Sequence, residues 1–181
     1  LITGVSGVPK ETIGLIGELK GNALIAIAII KQNFKDFDLN TSKIEDLDKY
    51  HNYLPDRLVP YFEGAIKNYH YTKEALKEFE KPTPDLKKIG ALMNQHHAVL
   101  RDLLKITVPK IDAMINAALK AGAYGAKIVG SGGGGSIVVL AEPGNEAPVV
   151  AAILAAGAIE AYTVTVDPGV RILENSKILK N

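Results

Sequence analysis

A chain of 181 residues with 47% hydrophobic and 23% charged residues can bury a core as one domain, or as one domain with a helical subdomain, and is not a disordered sequence. Its net charge of +1 offers no electrostatic case for nucleic acid or an acidic membrane surface. The absence of cysteine excludes disulfide and thiolate chemistry and fits a cytoplasmic location.

The chain enters a strand-like segment, Leu1 to Val5, at its first residue, as a piece cut from a longer protein would, and turns at Ser6-Gly7-Val8-Pro9. No signal peptide is visible. From Lys10 to Phe34 the residues Ile13, Ile16, Leu24, Ile27 and Phe34 keep helical spacing. Gly14, Gly17 and Gly21 interrupt that helix on one side, for close helix packing or for a kink near Gly21. The longest apolar run, Ala23 to Ile30, is far short of the roughly 20 residues that span a bilayer. Lys35 to Leu54 is polar and irregular, with a short helical piece around Ile44 to Tyr50.

Pro55 and Pro60 introduce a helix with the stripe Phe62, Ala65, Ile66, Tyr69, Leu76 and Phe79, whose charged stretch Lys73 to Lys81 reads as a solvated face with Glu/Lys pairs. Lys81-Pro-Thr-Pro84 stops it; Thr83 can cap the next helix, with Pro84 at its first position. That helix carries Leu86, Ile89, Leu92, Met93, His96, Leu100, Leu103 and Leu104 inward. A further helix follows Thr107-Val-Pro109 with Ile111, Met114, Ile115 and Ala118, and Gly122 is placed to end it in the left-handed conformation.

The last third changes character. Ala126 to Val129 and Ser136 to Leu140 read as strands; Asn145 can cap a helix through Val149 to Ala156, closed by Gly157; Ile159 to Val166 reads as another strand. Asp167-Pro-Gly169 then turns into a short Val170-Arg-Ile172. If Leu1 to Val5 joins these strands, the class is α+β: a ferredoxin-like antiparallel sheet with helices packed on one face plus additional helices.

The most informative run is Gly130-Ser131-Gly132-Gly133-Gly134-Gly135-Ser136, clamped between two β-branched strands. A flexible linker would sit in polar sequence, so this is an ordered turn through which a backbone or a phosphate can approach closely. A Walker loop needs Gly-Lys-Ser/Thr at its end, and a Rossmann loop needs a helix after it; neither is present. Lys127, in the strand before the loop, is the one cation placed to reach a phosphate, although alternation can equally send it to solvent. His96 and His97 point about 100° apart on a helix and cannot chelate one metal; they read as a packed histidine on the stripe beside a surface one. His51 and His70 have no ligand partners at useful spacing, so no metal site is expected. Asp102 and Asp112 read as surface helix charge, and Asp167 as a turn former. RNA binding on the sheet is disfavoured, because the strands offer only Tyr162 for stacking.

Leu92-Met-Asn-Gln-His96, Leu100-Arg-Asp102, Pro109-Lys-Ile-Asp112 with Ala-Met-Ile-Asn-Ala-Ala118, and Gly122-Ala-Tyr-Gly-Ala-Lys-Ile-Val-Gly-Ser-Gly-Gly-Gly-Gly135 together closely resemble the third motif region of the GHMP kinases. The likeness is specific over residues 86 to 140, and weaker back to Pro60 and on to Ile172. Leu100-Arg-Asp102 looks most like galactokinase, and four consecutive glycines look more like mevalonate kinase. The resemblance implies the carboxy-terminal lobe, spanning residues 1–181, of an ATP- and Mg2+-dependent kinase that phosphorylates a small-molecule hydroxyl. A sugar is the first expectation and a mevalonate-type acceptor the second.

Its implied partners are the amino-terminal lobe of the same kinase and the small-molecule substrate, with no nucleic acid and no membrane. The resemblance gives Gly130, Ser131, Gly132, Gly133, Gly134 and Gly135 the nucleotide-proximal position, with Lys127 and Ser136 as accessories. Val129 stands where the family often has Thr, Ser131 where Ala is common and Ser136 where Cys is common. The family's Gly-Leu-Ser-Ser-Ser-type phosphate loop is nowhere in the sequence, and its catalytic aspartate and lysine are missing with it. The chain alone is therefore expected to be inactive, bearing no catalytic residue and no metal site. A free-standing ferredoxin-like module that binds a ligand or partner without catalysis is the alternative from another class.

Overall fold

The computed structural model describes residues 1–10, 12–167 and 169, with the side chains of Thr12 and Ile13 left out; Pro168 and the expected segment Val170 to Ile172 lie outside the described residues. Four strands form one antiparallel sheet: β1 (Ile2–Val5), β2 (Gly125–Ile128), β3 (Ser136–Leu140) and β4 (Glu160–Thr163), in the order β2-β3-β1-β4. The segment Leu1 to Val5 thus supplies a central strand, pairing Ile2 with Val139 on one side and with Thr163 on the other. β4 is shorter than expected, ending at Thr163, and Tyr162 and Val166 are exposed.

The period of two puts Ile2, Ala126, Ile128, Ile137 and Val139 on one buried face. Against them pack α5 (Pro109–Lys120), through Ile111, Met114, Ile115 and Ala118, and α6 (Glu146–Ala155), through Val149 and Ile153. This is the expected α+β, ferredoxin-like arrangement, and Gly122 ends α5 at φ +94° as anticipated. Asn145 precedes α6 without capping it by its side chain: its amide donates instead to Ala121 O at 3.0 Å, tying α6 to the end of α5.

A second core lies among the additional helices. Here α1 (Thr12–Asn33), the short α2 (Leu47–His51) and α3 (Val59–Phe79) bury Ala26, Ile30, Phe37, Tyr50, Phe62 and Ile66. Tyr50 meets Phe34, Phe37 and Phe62 edge-on at centroid distances of 5.1–5.5 Å, an arrangement that aromatic quadrupoles favour.

Several helix faces differ from the spacing-based expectation. In α1 the buried positions are Ala26 and Ile30, whereas Ile16 and Leu24 are exposed. The helix runs unbroken past Gly21, and a methyl added at Gly14, Gly17 or Gly21 meets nothing within 4 Å, so these glycines serve no close contact among the described residues. At the end of α3, Leu76 and Phe79 are exposed and Glu78 is buried in their place. Glu78 is no solvated charge: it takes Lys81 Nζ at 2.7 Å, Lys88 Nζ at 3.2 Å and the Asp85 N–H at 3.0 Å. Lys81 first, then the Asp85 N–H and Lys88, hold its carboxyl down at about 2. Asp85, not Thr83, caps α4 (Leu86–Ala98), accepting from the N–H groups of Lys87 and Lys88. The helix continues as a π-helical turn, Val99–Leu103. Among the described residues no helix is long and apolar enough to cross a membrane.

Candidate functional site at the glycine loop

The loop closing the β2–β3 hairpin is held by two other stretches of chain. Its glycines at 130, 132, 133, 134 and 135 all have positive φ, from +71° to +140°. At Gly132 a Cβ would fall 2.5 Å from Ile106 O, and at Gly134 2.6 Å from Val8 O, so these positions exclude a side chain both by conformation and by space. On one flank Gly133 N–H donates to Ile106 O at 2.8 Å. On the other, Gly135 N–H donates to Val8 O at 3.0 Å, while Gly135 O accepts from the N–H and the hydroxyl of Ser6 at 2.8 and 2.6 Å. Lys10 Nζ closes the rim on Val129 O at 3.0 Å.

The Ile106 side of the cradle is itself braced. Lys105 takes a left-handed φ of +55°, and Ile106 N–H donates to Leu100 O of the π-helical turn at 3.0 Å while its side chain is buried. The next residue, Thr107, donates its hydroxyl to Asp112 Oδ2 at 3.0 Å, and Asp112 Oδ1 lies 3.3 Å from His97 Nε2. An open groove of about 800 Å3 runs between these flanks, lined by Val8, Pro9, Leu15, Lys105, Ile106 and Gly133.

β2 is an edge strand, and α4 covers its edge. Gly90 lies against Tyr124 and Gly125 so closely that a Cβ there would be 2.4 Å from Tyr124 C. One turn on, Asn94 imitates a neighbouring strand: its Oδ1 accepts from Ala126 N–H at 2.9 Å and its Nδ2 donates to Tyr124 O at 3.1 Å. Asn94 thereby satisfies backbone groups that an edge would leave open.

The structure brings Gly130 to Gly135 together as one ordered turn, with Ser131 half-buried within it. Lys127 does not point to solvent. It is half-buried, donates to Ile128 O at 2.9 Å, and burial pushes its ammonium pKa down. Ser136 opens β3 opposite Val5, its carbonyl accepting from Val129 N–H at 2.9 Å. The two histidines exchange their expected places: His97 is the buried one and His96 the half-buried one. Burial first, then the charges of Lys127 and His97, lower the His96 pKa to about 4; burial also lowers that of His97, against the pull of Asp112. Asp112 is correspondingly no surface charge, whereas Asp102 is exposed and paired with Arg101 at 2.8 and 2.9 Å. Asp167 accepts the Gly169 N–H at 2.8 Å, the turn role expected of it.

Among the described residues no group of three or more His, Cys, Asp or Glu could hold a metal ion. Sequence reasoning missed Ser6, Lys10, Asn94 and Ile106. Of these, Asn94 left a signal there, as a member of the Leu92-Met-Asn-Gln-His96 run.

Residues 72–159 match the family model for the carboxy-terminal domain of the GHMP kinases. The chain is 36% identical over 129 residues to a mevalonate kinase of Pyrococcus horikoshii, covering 71% of this chain and 38% of that one. It is 41% identical over 69 residues to a galactokinase of Streptomyces coelicolor, covering 38% of this chain and 18% of that one. Among solved structures, Lactococcus lactis galactokinase complexed with galactose superposes with a TM-score of 0.74 at 23% identity, over 89% of this chain and 43% of that one. The matched stretches thus span 18–43% of the length of these relatives.

Proposed function

This chain belongs, through residues 72–159, to the family of GHMP kinase carboxy-terminal domains, and on that premise we propose that it is the carboxy-terminal lobe of an ATP-dependent small-molecule kinase. The carrying observation is the glycine loop, a turn ordered from both flanks whose positive-φ backbone admits a charged group where side chains would exclude it. Gly133 and Gly135 spend their N–H groups inward and serve as the loop's anchors. The limb Gly130 to Gly132, with the Lys10 ammonium beside it, is the part offered to the phosphates of ATP. Pre-set backbone dipoles and cations of this kind supply the positioning and charge stabilisation on which phosphoryl transfer depends. Bound Mg2+ would neutralise charge on the transferred phosphoryl group, and its ligands belong to an amino-terminal partner lobe, as do the general base and the nucleotide loop.

For the acceptor hydroxyl, a mevalonate-type substrate is favoured over the sugar first expected. Its support is the 36% identity carried across 129 residues, together with the four consecutive glycines. The sugar stays the second reading, on the shorter but denser likeness to a galactokinase and the Leu100-Arg-Asp102 sequence.

The test is phosphotransfer by the full-length natural protein and by residues 1–181, each with Mg-ATP and a panel including mevalonate and galactose, read by 31P NMR of the product. The expected outcome is phosphorylation of mevalonate by the full-length protein only. Phosphotransfer by residues 1–181 alone, or none by the full-length protein on any member of the panel, would overturn the proposal.

A further inference from the structure

We propose that His97, Thr107 and Asp112 form a positioning network for the glycine loop, acting through the carbonyl of Ile106. Ile106 is the joint where three restraints meet. Its N–H is fixed to Leu100 O in the π-helical turn, its side chain is buried in the sheet core, and its C=O receives Gly133 N–H and walls the Cβ space of Gly132. The backbone leaves Lys105 at φ +55°, a conformation a lysine holds only where its surroundings impose it. Directly after Ile106, the Thr107 hydroxyl is pinned to one oxygen of Asp112, whose other oxygen faces His97 Nε2.

Asp112 stands in the first turn of α5, where the helix dipole favours its negative charge and keeps it an acceptor towards both partners. His97 is buried, and its Nδ1 finds no partner among the described residues. The proton on the neutral ring is therefore assigned to Nε2, the nitrogen aimed at Asp112, and the side chain has no second way to satisfy itself. His97 also continues the face of α4 that carries Gly90 and Asn94. One helix face thus locks both approaches to the loop: β2 through Asn94, and residues 105–108 through His97 and Asp112.

Its relevance to phosphoryl transfer rests on the function proposed above, but the network itself is testable without any kinase assay. The loop carries its own control, because Gly133 N–H is bonded to Ile106, downstream of the network, whereas Gly135 N–H is bonded to Val8 on the opposite flank. Hydrogen exchange of both amides is followed by 15N NMR in residues 1–181 and in His97→Leu, His97→Gln and Thr107→Val. Losing a charge-assisted hydrogen bond should speed exchange at Gly133 by about tenfold in His97→Leu and somewhat less in Thr107→Val, with Gly135 unmoved. His97→Gln, which can place an N–H near the same point, should bring Gly133 back towards the parent rate. Should His97→Leu not fold, Thr107→Val alone decides by the same comparison. Equal acceleration at both glycines would reduce the network to a general stabiliser and overturn the proposal. No change at Gly133 would overturn it as well, and neither result would touch the kinase-lobe reading.

Discussion

Three glycine-to-alanine substitutions separate the forces that shape this chain. Gly17 lies within α1 with open space around its Cβ direction, so Gly17→Ala gains only the helix preference, about 0.5–1 kcal/mol. Gly144 sits at φ +90° with nothing within 4 Å, so Gly144→Ala isolates the cost of a left-handed residue, about 1–2 kcal/mol. Gly132, at φ +85°, pays the same conformational cost and also brings a Cβ within 2.5 Å of Ile106 O. Relief to an ordinary 3.4 Å contact requires a shift of roughly 0.9 Å, enough to break the adjoining Gly133 to Ile106 hydrogen bond. Adding about 1 kcal/mol for that bond and a similar amount for overpacking puts Gly132→Ala at about 3–4 kcal/mol. The chain has no tryptophan, so urea unfolding is best followed by far-UV circular dichroism. With a slope of about 2 kcal/mol per molar urea, the midpoints should move up by about 0.3–0.5 M for Gly17→Ala. They should move down by about 0.5–1 M for Gly144→Ala and by about 1.5–2 M for Gly132→Ala. Equal shifts for Gly132→Ala and Gly144→Ala would refute the argument, because Ile106 O would then not be a fixed wall.

Replacing Asn94 by leucine should leave Ala126 N–H and Tyr124 O without their edge partner, costing about 2–4 kcal/mol and lowering Tm by roughly 5–12 °C. Calorimetry with amide exchange at Ala126 checks this, and an unchanged exchange rate there would show that the strand edge does not need the helix. Because the His96 pKa falls from 6.5 to about 4 on folding, the unfolded chain binds the extra proton first, so this histidine's contribution is intact above pH 6.5 and is lost as pH falls towards 4. Proton NMR should find its ring neutral at pH 5 and partly restored towards normal titration in Lys127→Met; titration near 6.5 in the parent chain would contradict the burial of this pair.

What the sequence disclosed and what it concealed divide along physical lines. The strands flanking the glycine loop, the left-handed Gly122 and the apolar face of α5 were legible because each depends on neighbours in sequence. The inward histidine was misassigned because α4 packs on α3 and on the β2 edge and then passes into a π-helical turn, so no single stripe describes it. Asp112 looked like surface charge because its partners, His97 and Thr107, come from outside its own helix. The site was half legible. The loop announced itself by composition, but the Ser6 to Lys10 and Lys105 to Ile106 flanks that order it are ordinary residues made important only by tertiary contact.

The central place of β1 bears on how the chain assembles. Ser6, one residue beyond that strand, closes on Gly135 across 129 positions, and β4 lies later still. The sheet therefore rests on pairings whose loop-closure entropy is met before any ladder bond is gained, a topology that folds slowly. The aromatic cluster of the second core draws on residues between Ala26 and Ile66 and carries no such delay. Nascent chain can gather that helical core while β1 waits unpaired, its two edges open to the wrong neighbour until both the hairpin and β4 have arrived.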